Sequence, residues 1–186
     1  MSTQVLEQAI AASRSTLVNV SADQLGGTTP CASWNVGELV NHMIGVLDFF
    51  ASGATKEMSA DAVENPADGD FLAAFDTAAA RCISAYNTPG VAESMITLPF
   101  GTMPGSAVIG LAATDCFTHG WDVAKATGQS TDLDPVLAGQ LLAGAHQSIQ
   151  EAFRGADTEA PFGPVQQAPD DATGADQLAA FLGRSL

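Results

Sequence analysis

The sequence predicts an all-α fold: a four-helix bundle with a short β-like crossover and an extra helical segment at its C-terminal end. Three observations carry this. Alanine is abundant, while Tyr and Trp number only 1 and 2 in 186 residues, and β-rich chains draw on aromatic and branched residues that helix packing does not need. Apolar residues recur at helical spacing in several long stretches. Only one short stretch, residues 95–103, reads as β.

The elements follow in order. Residues 4–20 place Val5, Ala9, Leu17 and Val20 near helical spacing, and Gly26-Gly27 closes the segment before a loop punctuated by Pro30. Asn35 followed by Glu38 reads as a capping pair opening a second helix over 36–52. A polar linker containing Gly and Pro is expected over 53–69, then a third helix over 71–86. MITLPFGTM (95–103) contains Gly101 and reads as a short hairpin or an extended crossover. A fourth helix is expected over 106–127, stopped by Gly128. Asp134-Pro135 marks a cap with proline at the first helical position of a fifth helix reaching 153. The remainder is loop-rich, with a last helical piece over 176–182. No internal repeat is present.

Length and charge narrow the classes. A chain of 186 residues suits one domain, 1–186, with a real core. Apolar residues make up 46% of it, which is globular rather than disordered. With 21 Asp and Glu against 6 Lys and Arg, and no basic cluster, a nucleic-acid or anionic-membrane partner is disfavoured. The first residues lack the basic start and apolar run of a secretory signal, and no stretch approaches a membrane span. Cys31, Cys82 and Cys116 are odd in number and free of CxxC spacing, which suits a reducing cytoplasm.

The candidate chemistry lies on two helices. Asp115 and His119 stand about 40° apart around the fourth helix, one turn above the other, and Asp122 falls within about 60° of His119. The same face carries Val108, Leu111, Ala112 and Val123, so the acid and the imidazole sit in an apolar stripe. Burying such groups is costly unless they pair or ligate a cation. The residues alone leave both readings open: a metal site, or an i, i+4 Asp–His pair that only stabilises the helix. On the second helix, Val36, Leu39, Val40, Met43, Ile44, Leu47 and Phe50 form the main apolar face. His42 lies off its centre, beside Leu39, Val46 and Phe49, and points either to another helix as a ligand or to a backbone carbonyl as a core-edge histidine. His146, the third histidine, reads as an interface or partly exposed residue beside Leu142 and Phe153, rather than as a ligand. Cys116 reads as core filler, Cys31 as a loop thiol without an identifiable base, and Trp34 and Trp121 as packing anchors near the site. Neither a phosphate loop nor a nucleophile elbow occurs.

Two segments, TPCASWNVGELVNHMIG (29–45) and LPFGTMPGSAVIGLAATDCFTHGWDVAKATG (98–128), together with the terminal FLGR (181–184), carry a resemblance. They resemble the actinobacterial metal-binding branch of the DinB-like superfamily, whose relatives include the N-terminal domain of mycothiol-dependent maleylpyruvate isomerase. The resemblance implies a four-helix bundle with a metal triad of His42, Asp115 and His119. The isomerase is similar but places Glu where this chain has Asp115, and Asp122 of HGWD reads as a residue supporting the ligands or packing the helix, with direct ligation as the alternative. The isomerase also has an additional C-terminal domain, whereas this sequence runs to Leu186, so maleylpyruvate isomerisation itself is not expected.

Three protein ligands leave a metal position open, as in catalytic zinc sites. The leading expectation is therefore a metal- and thiol-dependent transferase or isomerase. It would use a divalent ion, zinc or nickel, with mycothiol as thiol cosubstrate. Its partners would be a small-molecule thiol and an electrophile, without nucleic acid or membrane, and a homodimer is compatible with it. The alternatives are a non-catalytic metal-binding or sensing bundle and a plain helical scaffold.

Overall fold

A computed structural model describes residues 2–56, 67, 69–156 and 160–186. Helices α1 (Thr3–Leu17), α2 (Val36–Thr55), α3 (Phe71–Tyr86) and α4 (Gly105–Ala126) form the bundle. They pack in the cyclic order α1, α4, α2, α3, each against its two neighbours. Strands β1 (Met95–Leu98) and β2 (Gly101–Pro104) pair antiparallel with Leu98 opposite Gly101, so the β-like stretch is a hairpin. Helices α5 (Pro135–Ser148) and α6 (Gly174–Phe181) pack on each other and against α4. The chain is an all-α bundle with one short hairpin, as the sequence predicts. Among the described residues, no helix is long and apolar enough to cross a membrane.

The periodicity of α2 produces its buried face as expected: Val36, Leu39, Val40, Met43, Ile44, Leu47 and Phe50 are all buried. Its start is a capping box, in which the Glu38 amide donates to Asn35 Oδ1 (2.9 Å) and the Asn35 amide donates to Glu38 Oε2 (2.8 Å). The helix runs past Gly53 to Thr55 and stops where Lys56 turns left-handed (φ 61°). Gly53 is a gap for packing rather than a break, since a Cβ there would stand 2.7 Å from Leu98 Cδ2 of the hairpin. Most of the polar linker expected over 53–69 lies outside the described residues.

Other boundaries move for local reasons. The first helix ends at Leu17, with Leu6, Ala9, Ile10 and Leu17 buried and Val5 partly buried against the same core. The fifth ends at Ser148, and Glu151–Phe153 form a separate 3-10 turn. Leaving the helix there lets Arg154 donate from Nη1 to the carbonyls of Gly163 (3.0 Å) and Phe181 (2.8 Å). The last piece begins earlier than expected, at Gly174, where the Asp176 amide donates to Thr173 Oγ1 (3.1 Å).

The contact of α4 with α1 sets which face of α4 looks at α2. Gly120 lies so close to α1 that a Cβ would stand 2.6 Å from Ser13 Oγ, and the Ser13 hydroxyl donates to the Cys116 carbonyl (2.7 Å). Cys116 is buried filler here, as its sequence position suggested. With 116 and 120 held against α1, their predecessors 115 and 119 are rotated by about 100° towards α2.

Candidate metal centre

His42 from α2 meets Asp115 and His119 from α4. His42 Nε2 stands 3.8 Å from Asp115 Oδ1, and His119 Nε2 stands 3.7 Å from Asp115 Oδ2. The two imidazole rings are 4.7 Å apart and nearly perpendicular. One ligand atom from each residue lies within 4.8 Å of the other two. The structure therefore brings together the three residues that the sequence singled out, across two helices.

The separations are too long for hydrogen bonds. His42 Nε2 and Asp115 Oδ1 are buried atoms with no hydrogen-bond partner among the described residues. Buried polar atoms are ordinarily satisfied, because leaving one unpaired costs about 1–3 kcal/mol. Two such atoms facing each other mark a gap suited to a cation. With metal–N and metal–O bonds near 2.1 Å, tetrahedral ligands stand about 3.4 Å apart. The observed 3.8 and 3.7 Å, which run to the two different oxygens of Asp115, lie near that spacing, and one ligand atom from each residue falls within 4.8 Å of the others. Two imidazoles and a carboxylate also match the donor chemistry of zinc and other divalent transition ions, so these residues can hold one.

The surroundings fix both imidazoles. Trp34, from the loop before α2, stacks on His42 with ring centroids 4.3 Å apart and an interplanar angle of 28°. His119 Nδ1 lies 2.9 Å from Asp122 Oδ2, so Nε2 is the nitrogen that faces Asp115 and His42. Asp122 is wholly buried, and Arg184 from the C-terminal end grips it: Nη2 reaches Oδ2 at 3.1 Å and Nε reaches Oδ1 at 3.3 Å. Cys31 completes this group, with Sγ 3.3 Å from Asp122 Oδ2 and 3.2 Å from Arg184 Nη2.

The electrostatics follow from this geometry. Burial alone would lower the basicity of His119, but the Asp115 charge and the hydrogen bond to Asp122 outweigh it and raise its pKa to about 10. Burial would raise the Asp115 carboxyl, yet the charges of His119 and His42 leave it below its ordinary value. Asp122 would likewise be raised by burial, and Arg184 and His119 instead bring it down to about 2.

Cys31, His119 and Asp122 also approach one another within metal-ligating range. The Arg184 guanidinium sits among them and their polar atoms are already paired, so a cation is opposed there. The vacancy in hydrogen bonding is on the other side of His119.

His146 fits its reading as an interface or partly exposed residue, whereas Trp121 does not pack on the site. His146 is exposed and rests on Phe181 at a centroid distance of 4.1 Å, apart from the triad. Trp121 is buried but turned towards α6, where its Nε1 donates to Asp176 Oδ1 (2.8 Å). Only Trp34 of the two tryptophans packs on the site. Sequence reasoning left Cys31 without a neighbour and gave Arg184 no role. The FLGR block was noticed, but no spacing within it points to Asp122, 62 residues earlier.

A family model described as the mycothiol maleylpyruvate isomerase N-terminal domain matches residues 6–124, which include His42, Asp115, His119 and Asp122 but not Arg184. Two uncharacterized proteins of Mycobacterium tuberculosis, from strains CDC 1551 / Oshkosh and ATCC 25618 / H37Rv, are each 44% identical over 171 residues. The match covers 91% of this chain and 90% of each relative. No solved structure matches the chain. A DinB-like bundle with these motifs, matched over most of its helical core, belongs to the mycothiol maleylpyruvate isomerase N-terminal domain family.

Proposed function

We propose that the protein is a divalent-metal-dependent transferase or isomerase that uses a low-molecular-weight thiol of the mycothiol type. The observation that carries this reading is the facing pair of unsatisfied buried atoms, His42 Nε2 and Asp115 Oδ1, completed by His119 Nε2. His42, Asp115 and His119 are the proposed ligands, and zinc or nickel is the proposed ion. When bound, such an ion acts as a Lewis acid that favours the ionised form of a thiol at neutral pH.

The chain's own residues supply access and orientation. The side chains of His42 and Asp115 remain 29% and 27% exposed although their facing atoms are buried, so the site lies just beneath the surface, a position that favours an exchangeable site over a closed structural one. Trp34 holds the His42 ring in place by stacking. Val46 and Phe49 follow His42 on the same face of α2, and Leu111 precedes Asp115 by one turn on α4. All three are partly buried and packed on the core, and the Phe100 ring at the hairpin lies 6.3 Å from Phe49. This strip supports an electrophile with an apolar body. In the transferase form, sulfur bonds to an electrophilic carbon, the thiol proton passes to solvent, and the electrophile takes a proton from water. The three free cysteines suit a reducing cytoplasm.

The test is metal analysis of the purified protein, followed by thiol conjugation of an electrophile panel with the loaded protein and mycothiol. Stoichiometric metal and turnover that is lost in His42→Ala and His119→Ala are expected. Unchanged activity in both variants overturns the proposal, and tight metal binding without turnover reduces it to a metal-binding bundle.

A further inference from the structure

Arg184 belongs to the last residues of the chain, yet it makes the most polar contacts with the group behind His119. Its fork grips both oxygens of Asp122, and Nη2 also reaches Cys31 Sγ at 3.2 Å. Asp122 in turn holds His119 through Nδ1 at 2.9 Å. The line from Arg184 through Asp122 to His119 ends on Nε2, which faces Asp115. We infer that Arg184 is a positioning residue for the proposed metal centre: it locks Asp122, and through it the His119 ring, in the orientation that presents Nε2 to the ion.

Three features show that the fold delivers Arg184 there under constraint. First, Gly183 adopts φ +99°, a conformation that side-chain-bearing residues rarely take, and a Cβ on it would stand 2.5 Å from Gly163 Cα. The tail therefore makes a backbone-to-backbone contact with the 163 loop, and this turn aims the next side chain inwards. Second, Arg154 clamps the same turn from below by donating to the carbonyls of Gly163 and Phe181, with its guanidinium 4.5 Å from the centre of the Phe181 ring. Third, the Arg184 amide donates to the Ala179 carbonyl (2.9 Å), and Nη1 donates to the Leu182 carbonyl (3.3 Å).

Asp122 is 0% exposed, so its charge requires partners, and His119 alone satisfies only one of its oxygens. Without Arg184, Oδ1 loses its one hydrogen-bond partner among the described residues, and the carboxylate is free to rotate away from Nδ1 or to recruit water. Either change loosens the ring whose other nitrogen the ion requires. Partners that orient a ligating histidine in this way are typically worth about 10- to 100-fold in metal affinity. Arg184 stands one residue further back, so the lower figure applies.

This inference rests on the metal reading, and its test separates the two. Zinc titration by calorimetry and the visible spectrum of the cobalt-loaded protein are measured for wild type, Arg184→Gln, Arg184→Lys and Gly183→Ala, with circular dichroism and Tm recorded for each metal-free protein. Folded Arg184→Gln is expected to bind zinc about 10-fold more weakly and to shift the cobalt band. Arg184→Lys, which keeps the charge but lacks the fork, should fall between it and wild type. Gly183→Ala should weaken binding although it touches no ligand. If Arg184→Gln does not fold, Arg184→Lys and Gly183→Ala carry the test. Wild-type affinity and an unshifted cobalt band in the folded variants overturn the inference while leaving the metal centre standing. Absence of zinc binding in wild type overturns the metal reading itself, and this inference with it.

Discussion

Filling the site with a divalent cation at neutral pH should release about one proton, and His119 is its source. The imidazole stands between Asp122, 2.9 Å from Nδ1, and Asp115, 3.7 Å from Nε2. Burial opposes its charge, but the two carboxylates prevail and its pKa is raised to about 10. Near neutrality it is an imidazolium, whereas a cation requires the Nε2 lone pair. Asp115 is held below the ordinary carboxylate value and is already ionised, so it contributes no proton. The apparent affinity for zinc or nickel should therefore rise about 10-fold per pH unit from neutrality towards pH 10. Calorimetric titration in two buffers of different ionisation enthalpy reads the proton count directly. Heats that are independent of buffer, together with an affinity flat in pH, would refute the placement of the ion on His119. The sign for stability follows. A folded-state pKa above the unfolded value of about 6.5 contributes stability that is complete below the unfolded pKa and is lost as pH rises through about 10. The Tm of the metal-free protein should thus decline towards pH 10, and the loaded protein should lack that limb.

Zinc or nickel at 100 times its dissociation constant should stabilise the wild type by about 2.7 kcal/mol. Scanning fluorimetry should show this as a rise in Tm that a chelator reverses and that His42→Ala abolishes. Gly120→Ala should destabilise the protein by about 1–3 kcal/mol in urea unfolding, because the new Cβ would meet Ser13 Oγ at 2.6 Å in a contact between two helices. Asp176 would be raised by burial, but hydrogen bonds from Trp121 and Thr173 leave its carboxyl below the ordinary value. Its contribution is therefore present above the ordinary carboxylate pKa and is lost as pH falls below it, so Asp176→Asn should flatten the acid limb of the Tm profile. Removing the Tyr86 hydroxyl, which donates to the Phe50 carbonyl at 2.9 Å, should cost about 1 kcal/mol in Tyr86→Phe by the same unfolding assay.

Much of the bundle and the pairing of candidate residues within each helix were legible in the residues. The apolar spacing of α2 determines its buried face, and the Asn35–Glu38 pair determines where it begins, because both depend on neighbours within a turn or two. The same locality puts Asp115 and His119 one above the other. Boundaries that depended on packing were not legible. Gly53 reads as the start of a linker and Gly105 falls just before the expected fourth helix, yet the helices include both, since the absent side chain makes room for Leu98 in one case and for the Val91 carbonyl in the other. The inward placement of Trp34 and the outward placement of His146 were likewise settled by what packs around them.

By itself, then, the sequence determined the helices, their buried faces and the presence of an acid–imidazole pair within an apolar stripe. Only the tertiary structure decided that His42 reaches that pair, that two facing atoms are left without partners, and that Arg184 closes on Asp122 from the far end of the chain. The physical reason is range. Helix periodicity is written into residues three and four apart, whereas the relation of His42 to Asp115 depends on how α1 and α2 rotate α4, and the approach of Arg184 depends on a left-handed Gly183 packed against Gly163.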